Sequence, residues 1–477
     1  MKEFSQQYNG FFSIVAMGGD HLWLGDINIV HDLLAKRAPI YSSRPEVAAI
    51  PGSDSQGQYL PLLAHGDHWR RQRKFAHSVL TAAHNNQYYG YTTVEVKRLL
   101  AKLAQNPKDY YNIADSYCGR ITARLAYGRP DTAPNHCKNA REFIPHISLA
   151  GPITNLLPFL GQLPEWLIPS KKDVRVRRET EEKLWLGLMK DVEEEMANGT
   201  AAPSSYARTY LERRNADKLS NADKSTAFDF DDREAAYAVG MLCTVAIFTI
   251  SGPLNTFLLA MTLHQEWQEA VRKEVDTVLG DRLATLADSP NLPTLRAAIK
   301  ECFRWRPPVP AGVPHLLEKD DIYNGYFIPK GTIVHACEQA IARDPTLYPD
   351  PETYNPARWL SPNFPTYREP LTQHPTLVGH HQFGVGRRSC PGVDLAEAEL
   401  LIACSAIIST FTLKPKRSAD GTEMLPETGP KSMTSNLIGG PLPFQFELQP
   451  RSEERKAQVL QMWKEEEADA EGNPSKY

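Results

Sequence analysis

The chain has 477 residues, 42% of them hydrophobic and 23% charged, with a net charge of −4. That balance suits a soluble globular protein with a large core and gives no electrostatic footprint for nucleic acid. The seven cysteines (118, 137, 243, 302, 337, 390 and 404) are odd in number, scattered and without a C-x-x-C pair, which argues against a disulfide framework or zinc site and for a reducing compartment.

The opening stretch, MKEFSQQYNGFFSIVAMGGD, holds no long apolar run, so it reads as neither a signal peptide nor a membrane span. FFSIVAMGGDHLWLG predicts a hairpin turning at Gly18-Gly19-Asp20. Asp26 then caps a short helix ending near Lys36. Residues from about 67 to 305 read as mostly helical by period. The pattern breaks at 151–172, rich in Pro and Gly, and at 198–232, read as a solvated loop. In that loop Asn198-Gly199-Thr200 reads as a plain turn, and the doubled NADK is too short for an architectural repeat.

The most apolar stretch, 238–261, is long enough for a membrane span. Its Pro253, Asn255 and two glycines, and the helical pattern directly after it, predict a buried central helix instead. After 315 the chain turns to strands. DIYNGYFIPKGTIVHAC predicts a hairpin with Asn324-Gly325 at its turn. Pro345, Pro349, Pro351 and Pro356 make 344–360 a stiff, extended meander. No clean linker appears, so residues 1–450 read as one large domain and 451–477 as a charged, solvated helical tail.

Residues 383–392 read FGVGRRSCPG. Gly384 and Gly386 allow a tight turn close to a flat ligand. Pro391 suits the first position of the helix that follows, which sets Cys390 at a helix N-terminus where a thiolate is favoured. Arg388 stands ready for an anionic edge of the ligand. This stretch resembles the heme-binding loop of the cytochromes P-450, F-x-x-G-x-R-x-C-x-G, with Phe383, Gly386, Arg388, Cys390 and Gly392 at its fixed positions. The resemblance implies the mainly α P-450 fold with a smaller β-rich part. It also implies heme b (iron protoporphyrin IX), with Cys390 as the proximal thiolate on iron.

Three further motifs follow the same family. KECFRW resembles its Glu-x-x-Arg, with Glu301 and Arg304 on one helical face, and NPARW supplies Arg358 to complete a buried structural cluster. HGDHWRRQRKFAH resembles its W-x-x-x-R, which implies that Trp69 and Arg73 donate to a heme propionate. His315 stands where relatives offer His or Arg to a propionate.

The distal helix departs from the family. Alignment on FLLAM puts the (Ala/Gly)-Gly-x-(Asp/Glu)-Thr window at VAIFT, so Thr249 is kept, Phe248 replaces the acid and Ala246 the glycine. Thr244 is the candidate of the other register. A threonine bonding its i−4 carbonyl is the plainer reading of Thr249. Pro253 deprives the Thr249 carbonyl of its helical partner, which predicts a helix opened beside the distal face. Phe248 is expected to wall the pocket. Further walls are expected from 47–62, 151–172, Pro310–Val313 and 435–440.

The resemblance implies oxidation of a small apolar organic substrate, a specialised metabolite, by dioxygen. Electrons would come from NADPH through a flavoprotein reductase, with cytochrome b5 as a second candidate donor. A monomer is expected. The chain is similar to the fungal-type microsomal branch, whose members begin with a membrane anchor. The expected location is the endoplasmic reticulum surface if an anchor precedes this sequence, and the cytoplasm otherwise. The rival reading is a heme-thiolate isomerase, dehydratase or peroxide-dependent enzyme needing no external electrons.

Overall fold

The computed structural model describes residues 2–16, 18–55, 58–85, 90–199, 204–220, 228 and 231–472. Strands β1 (Phe11–Ala16) and β2 (Gly19–Leu24) form the first hairpin. Their register runs from Phe11↔Leu24 to Ala16↔Gly19, so the turn falls between Ala16 and Gly19, ahead of the expected position. The Asp26 carboxylate accepts from the N–H groups of Asn28 and Ile29 and caps the short helix Ile27–Val30, which runs on through a π-helical turn to Lys36.

Nine long helices follow among the described residues: α1 (Asp67–Asn85), α2 (Gly90–Gln105), α3 (Tyr110–Tyr127), α4 (Ala133–His146), α5 (Pro169–Ala197), α6 (Tyr206–Ser220), α7 (Asp232–Leu263), α8 (Gln265–Leu279) and α9 (Pro293–Trp305). Helix α6 corrects the loop expected over 198–232. Tyr206, Tyr210 and Leu211 bury one side of it, and the Tyr210 hydroxyl donates to Asp232. Polar residues cover the rest, which hid the helix among turn-forming types. Thr200 and the second NADK copy, 221–224, lie outside the described residues.

Asp231 caps α7 by accepting from the Glu234 N–H. The helix is long and apolar enough to cross a membrane, but 67% of its apolar window is buried within the protein, which makes it the core. A Cβ added at Gly240 would lie 2.2 Å from the Trp185 ring, so glycine there lets α5 close onto α7.

Beyond α9 come β3 (His315–Leu316), β4 (Asp321–Tyr323), β5 (Tyr326–Ile328) and β6 (Ile333–Ala336). One sheet has the order β1-β2-β6-β3, with β2 and β6 parallel. Asn324 and Gly325, at φ 50° and 83°, turn the β4–β5 hairpin as their sequence predicts. Helix α10 (Val393–Thr410) leads into a second sheet of β7 (Phe411–Arg417), β8 (Glu423–Met424) and β9 (Phe446–Pro450). Last comes α11 (Glu453–Gly472), which corrects the solvated tail. It seats Val459 and Trp463 against α2, and the Arg98 guanidinium lies 5.3 Å over the Trp463 ring.

Candidate active site

The Cys390 N–H donates to the Phe383 carbonyl at 2.7 Å and closes the loop. Gly384 and Gly386 adopt φ 72° and 63°. A Cβ at Gly386 would come within 2.4 Å of the Leu34 carbonyl, so this glycine seats the loop on the π-helical turn, not against a ligand as expected. Helix α10 begins at Val393 behind Gly392, which leaves Pro391 two residues ahead of it instead of at its first position.

Of the seven cysteines, only Cys390 is accessible, and it opens into a cavity of about 330 Å³. The Phe383 ring stands 5.2 Å from Phe303 at the cavity wall. Burial pushes the Cys390 thiol up; the Gly392 N–H and the Arg73 charge pull it down by less. The thiolate favoured by a helix N-terminus is thus corrected, because α10 starts three residues beyond the sulfur. A bound metal cation would displace the thiol proton directly.

Five basic side chains line the same cavity; His381 pairs with Glu338, which leaves Arg388, Arg73, Arg44 and His315. Arg388 donates to the carbonyls of Ser42 and Leu63, both at 2.7 Å, and stacks 4.4 Å from the Trp69 ring. Its buried Nη1 has no partner. Arg73 follows Trp69 by one turn of α1. Arg44 donates to Val313 and Pro314 carbonyls at 2.7 Å. His315 Nδ1 donates to the Tyr41 carbonyl at 2.7 Å, which turns Nε2 away from that bond.

Among the described residues, no carboxylate forms an ion pair with any of the four. Burial, then mutual repulsion, pushes Arg388 down to about 8. Burial alone takes Arg44 to about 9 and dominates the lowering of Arg73 and His315. Such a ring, with an orphaned donor and an open thiol, fits a flat ligand carrying anionic groups on one edge and a metal at its centre. Sequence reasoning missed Arg44. Two of its three carbonyl partners lie 269 and 270 residues on, and a lone Arg before a proline carries no signal of burial.

Leu242, Val245, Ala246, Thr249 and Ile250 form the α7 wall of the cavity. Phe248 does not join them, contrary to expectation; its ring is turned away, 6.0 Å from the Arg141 guanidinium. The 100° rotation per residue that brings Thr249 to the cavity removes its neighbour from it. Thr244 is buried with its hydroxyl unpartnered and also lies off the cavity.

Helix α7 runs unbroken through Pro253, so the expected opening is corrected as well. The Thr249 hydroxyl donates to the Val245 carbonyl at 2.8 Å. Gly252 serves a different purpose from unwinding. A Cβ there would meet the Gly439 carbonyl at 3.0 Å, so the loop 435–440 packs directly on the helix and sends Leu437 and Ile438 into the cavity. Leu60, Pro61 and Leu62 of the expected 47–62 wall, and Gly312 and Val313, also line it; residues 56 and 57 lie outside the described residues. The stretch 151–172 does not reach the cavity.

Behind the loop, Glu301 accepts from Arg304 at 2.7 and 2.9 Å and from Arg358 at 3.2 Å. The Asn355 N–H and the Trp359 indole, each at 3.0 Å, complete its shell. All three charged residues are at most 1% exposed. The cluster ties α9 to the meander 344–360.

The Cytochrome P450 family profile matches residues 1–436. The chain is 32% identical to the cytochrome P450 monooxygenase virE of Hypocrea virens, over 97% of this chain and 83% of the relative. It is 31% identical to the cytochrome P450 monooxygenase psoD of Aspergillus fumigatus, over 93% and 84%. Among solved structures, a zebra fish cytochrome P450 with progesterone superposes with a TM-score of 0.75 at 20% identity, over 94% of this chain and 98% of the other. The profile spans the cysteine loop, the arginine ring and the buried cluster alike, and this chain belongs to the cytochrome P450 family.

Proposed function

We propose that Cys390 binds heme iron through its thiolate, while Arg388, Arg73, Arg44, His315 and Trp69 gather around the heme propionates. The observation that carries this is the pairing of one open thiol with four basic groups, none of them ion-paired with a carboxylate among the described residues. As a family member the chain is a heme-thiolate monooxygenase, and the isomerase, dehydratase or peroxide-dependent alternative is not favoured. The bound heme supplies dioxygen activation. The protein's residues do the rest: Cys390 donates electron density to the iron, and the basic ring fixes the heme's orientation. The α7 wall and Leu437–Ile438 exclude bulk water from an apolar substrate, and Thr249 offers a hydroxyl at the wall.

The cavity's aliphatic lining supports a small apolar organic substrate, a specialised metabolite. NADPH through a flavoprotein reductase is the electron source that suits this reading. Phe159 and Trp166, 63% and 78% exposed in the stretch 151–172, support contact with a membrane surface such as the endoplasmic reticulum. The test is the reduced protein under carbon monoxide. It should show the red-shifted band of thiolate-ligated heme, and Cys390→Ala should lose it. A band retained in that variant would refute the assignment.

A further inference from the structure

Oxidising chemistry in a closed cavity endangers the protein whenever the cavity holds no substrate. Beside the cysteine loop, a chain of three side chains leads out of the cavity. His381 and Glu338 line the cavity, and Tyr348 of the meander 344–360 adjoins them outside it, 4% exposed. His381 Nδ1 lies 2.5 Å from Glu338 Oε2, and His381 Nε2 lies 3.2 Å from the Tyr348 hydroxyl.

The carboxylate fixes the tautomer of the ring between them. Glu338 accepts from the His381 Nδ1–H, which leaves Nε2 to accept from the Tyr348 hydroxyl. Burial, above all, holds the Tyr348 phenol protonated at rest. Its hydrogen bond offers the phenolic proton a base. The imidazolium formed there would face the Glu338 carboxylate, so the buried charge is compensated.

A phenol gives up an electron far more readily when its proton leaves in the same step. Without proton loss, a positive Tyr348 ring would face Arg304, whose guanidinium lies 5.4 Å from the ring centroid. With the proton on His381 the radical is neutral, and that repulsion disappears. Trp69 also lines the cavity, but the Arg388 guanidinium lies 4.4 Å from its ring, so a positive charge on that indole would meet a cation.

We infer that Tyr348 is a redox-active side chain that discharges an over-oxidised heme. One electron passes from Tyr348 to the heme, after dioxygen or a peracid has oxidised the heme with no substrate in place. The Tyr348 O–H bond breaks, the proton passes to His381 Nε2, and Tyr348 is left as a neutral radical. One electron from the flavoprotein reductase and the proton held on His381 restore the phenol. The inference rests on the heme-thiolate reading.

The test uses the full heme-loaded chain in its ferric state, mixed with meta-chloroperbenzoic acid without substrate and frozen at once. Electron paramagnetic resonance should show a tyrosyl radical in the wild type. Tyr348→Phe should lose most of that signal, and its heme absorption should bleach several-fold faster. His381→Gln carries the same two readouts if Tyr348→Phe fails to fold. Its amide can accept from Tyr348 and donate to Glu338, but it takes up no proton, so a merely structural role would leave the signal unchanged. A full-strength signal in either variant, or bleaching at the wild-type rate, overturns the inference. So does a wild type that shows the carbon monoxide band and no tyrosyl radical. A wild type without the carbon monoxide band would instead sink the heme-thiolate reading.

Discussion

The Arg388 guanidinium stacks 4.4 Å from the Trp69 ring, yet its Nη1 reaches no acceptor. Trp69 and the carbonyls of Ser42 and Leu63 hold the group in place before any anion arrives. Arg388→Gln should therefore lower heme content several-fold, read as the ratio of heme to protein absorbance. The heme-free variant should lose less stability than two bonds to a charged donor suggest, about 1.5–3 kcal/mol each. Removing one charge relieves repulsion with Arg44 and Arg73. An unchanged heme ratio would remove Arg388 from the propionate site.

Glu301 neutralises two buried arginines at once. Glu301→Gln should cost about 3–5 kcal/mol, because it strands guanidinium charge in the core. Thermal melts and the yield of heme-loaded protein measure the loss. Wild-type stability in this variant would mean that solvent reaches the cluster.

Thr249 and Phe248 should separate cleanly. Thr249→Val removes a cavity hydroxyl while keeping the shape, so the melting temperature should hardly move while peroxide release per NADPH rises. Phe248→Ala should do the reverse. Coupling should stay near wild type, and stability should fall by less than the about 3–5 kcal/mol of a fully buried ring. Altered coupling in Phe248→Ala with full stability would return that ring to the reaction.

His136 is fully buried, stacks 5.5 Å from Tyr127 and has no partner on either ring nitrogen. Burial pushes its pKa down to about 4. The unfolded chain takes up this proton below the ordinary value near 6.5, while the folded chain refuses it until about 4. The contribution is thus complete above about pH 6.5 and lost as pH falls towards 4, by about 3 kcal/mol in all. Melting temperatures between those pH values should fall less steeply in His136→Phe. Parallel slopes in the two proteins would refute this.

What was legible in the sequence was local. The cysteine loop, the Glu301–Arg304 spacing and the Asn324-Gly325 turn all act over a few residues. The direction of Phe248 was legible too, had the cavity face been traced through Leu242, Val245, Ala246 and Thr249 at helical spacing. Motif alignment gave the position of the residue but not its facing, which packing against Arg141 reveals. Arg44 stayed hidden for another reason. It has no motif and matters through what surrounds it in three dimensions. Helix α6 was masked by composition, since only Tyr206, Tyr210 and Leu211 anchor it.

The parallel pairing of β2 with β6 joins His21 to Ile333, and Arg388 reaches back to Ser42 and Leu63. A ribosome therefore delivers one face of the first sheet long before its neighbour exists. Until residues 333–336 emerge, β2 carries an unpaired edge, a site open to aggregation or to a chaperone. The cavity is assembled later still, once residues 383–399 leave the exit tunnel. Cofactor uptake is thus confined to a nearly finished chain, and a stall before α10 leaves a product with most of its helices and no place for heme.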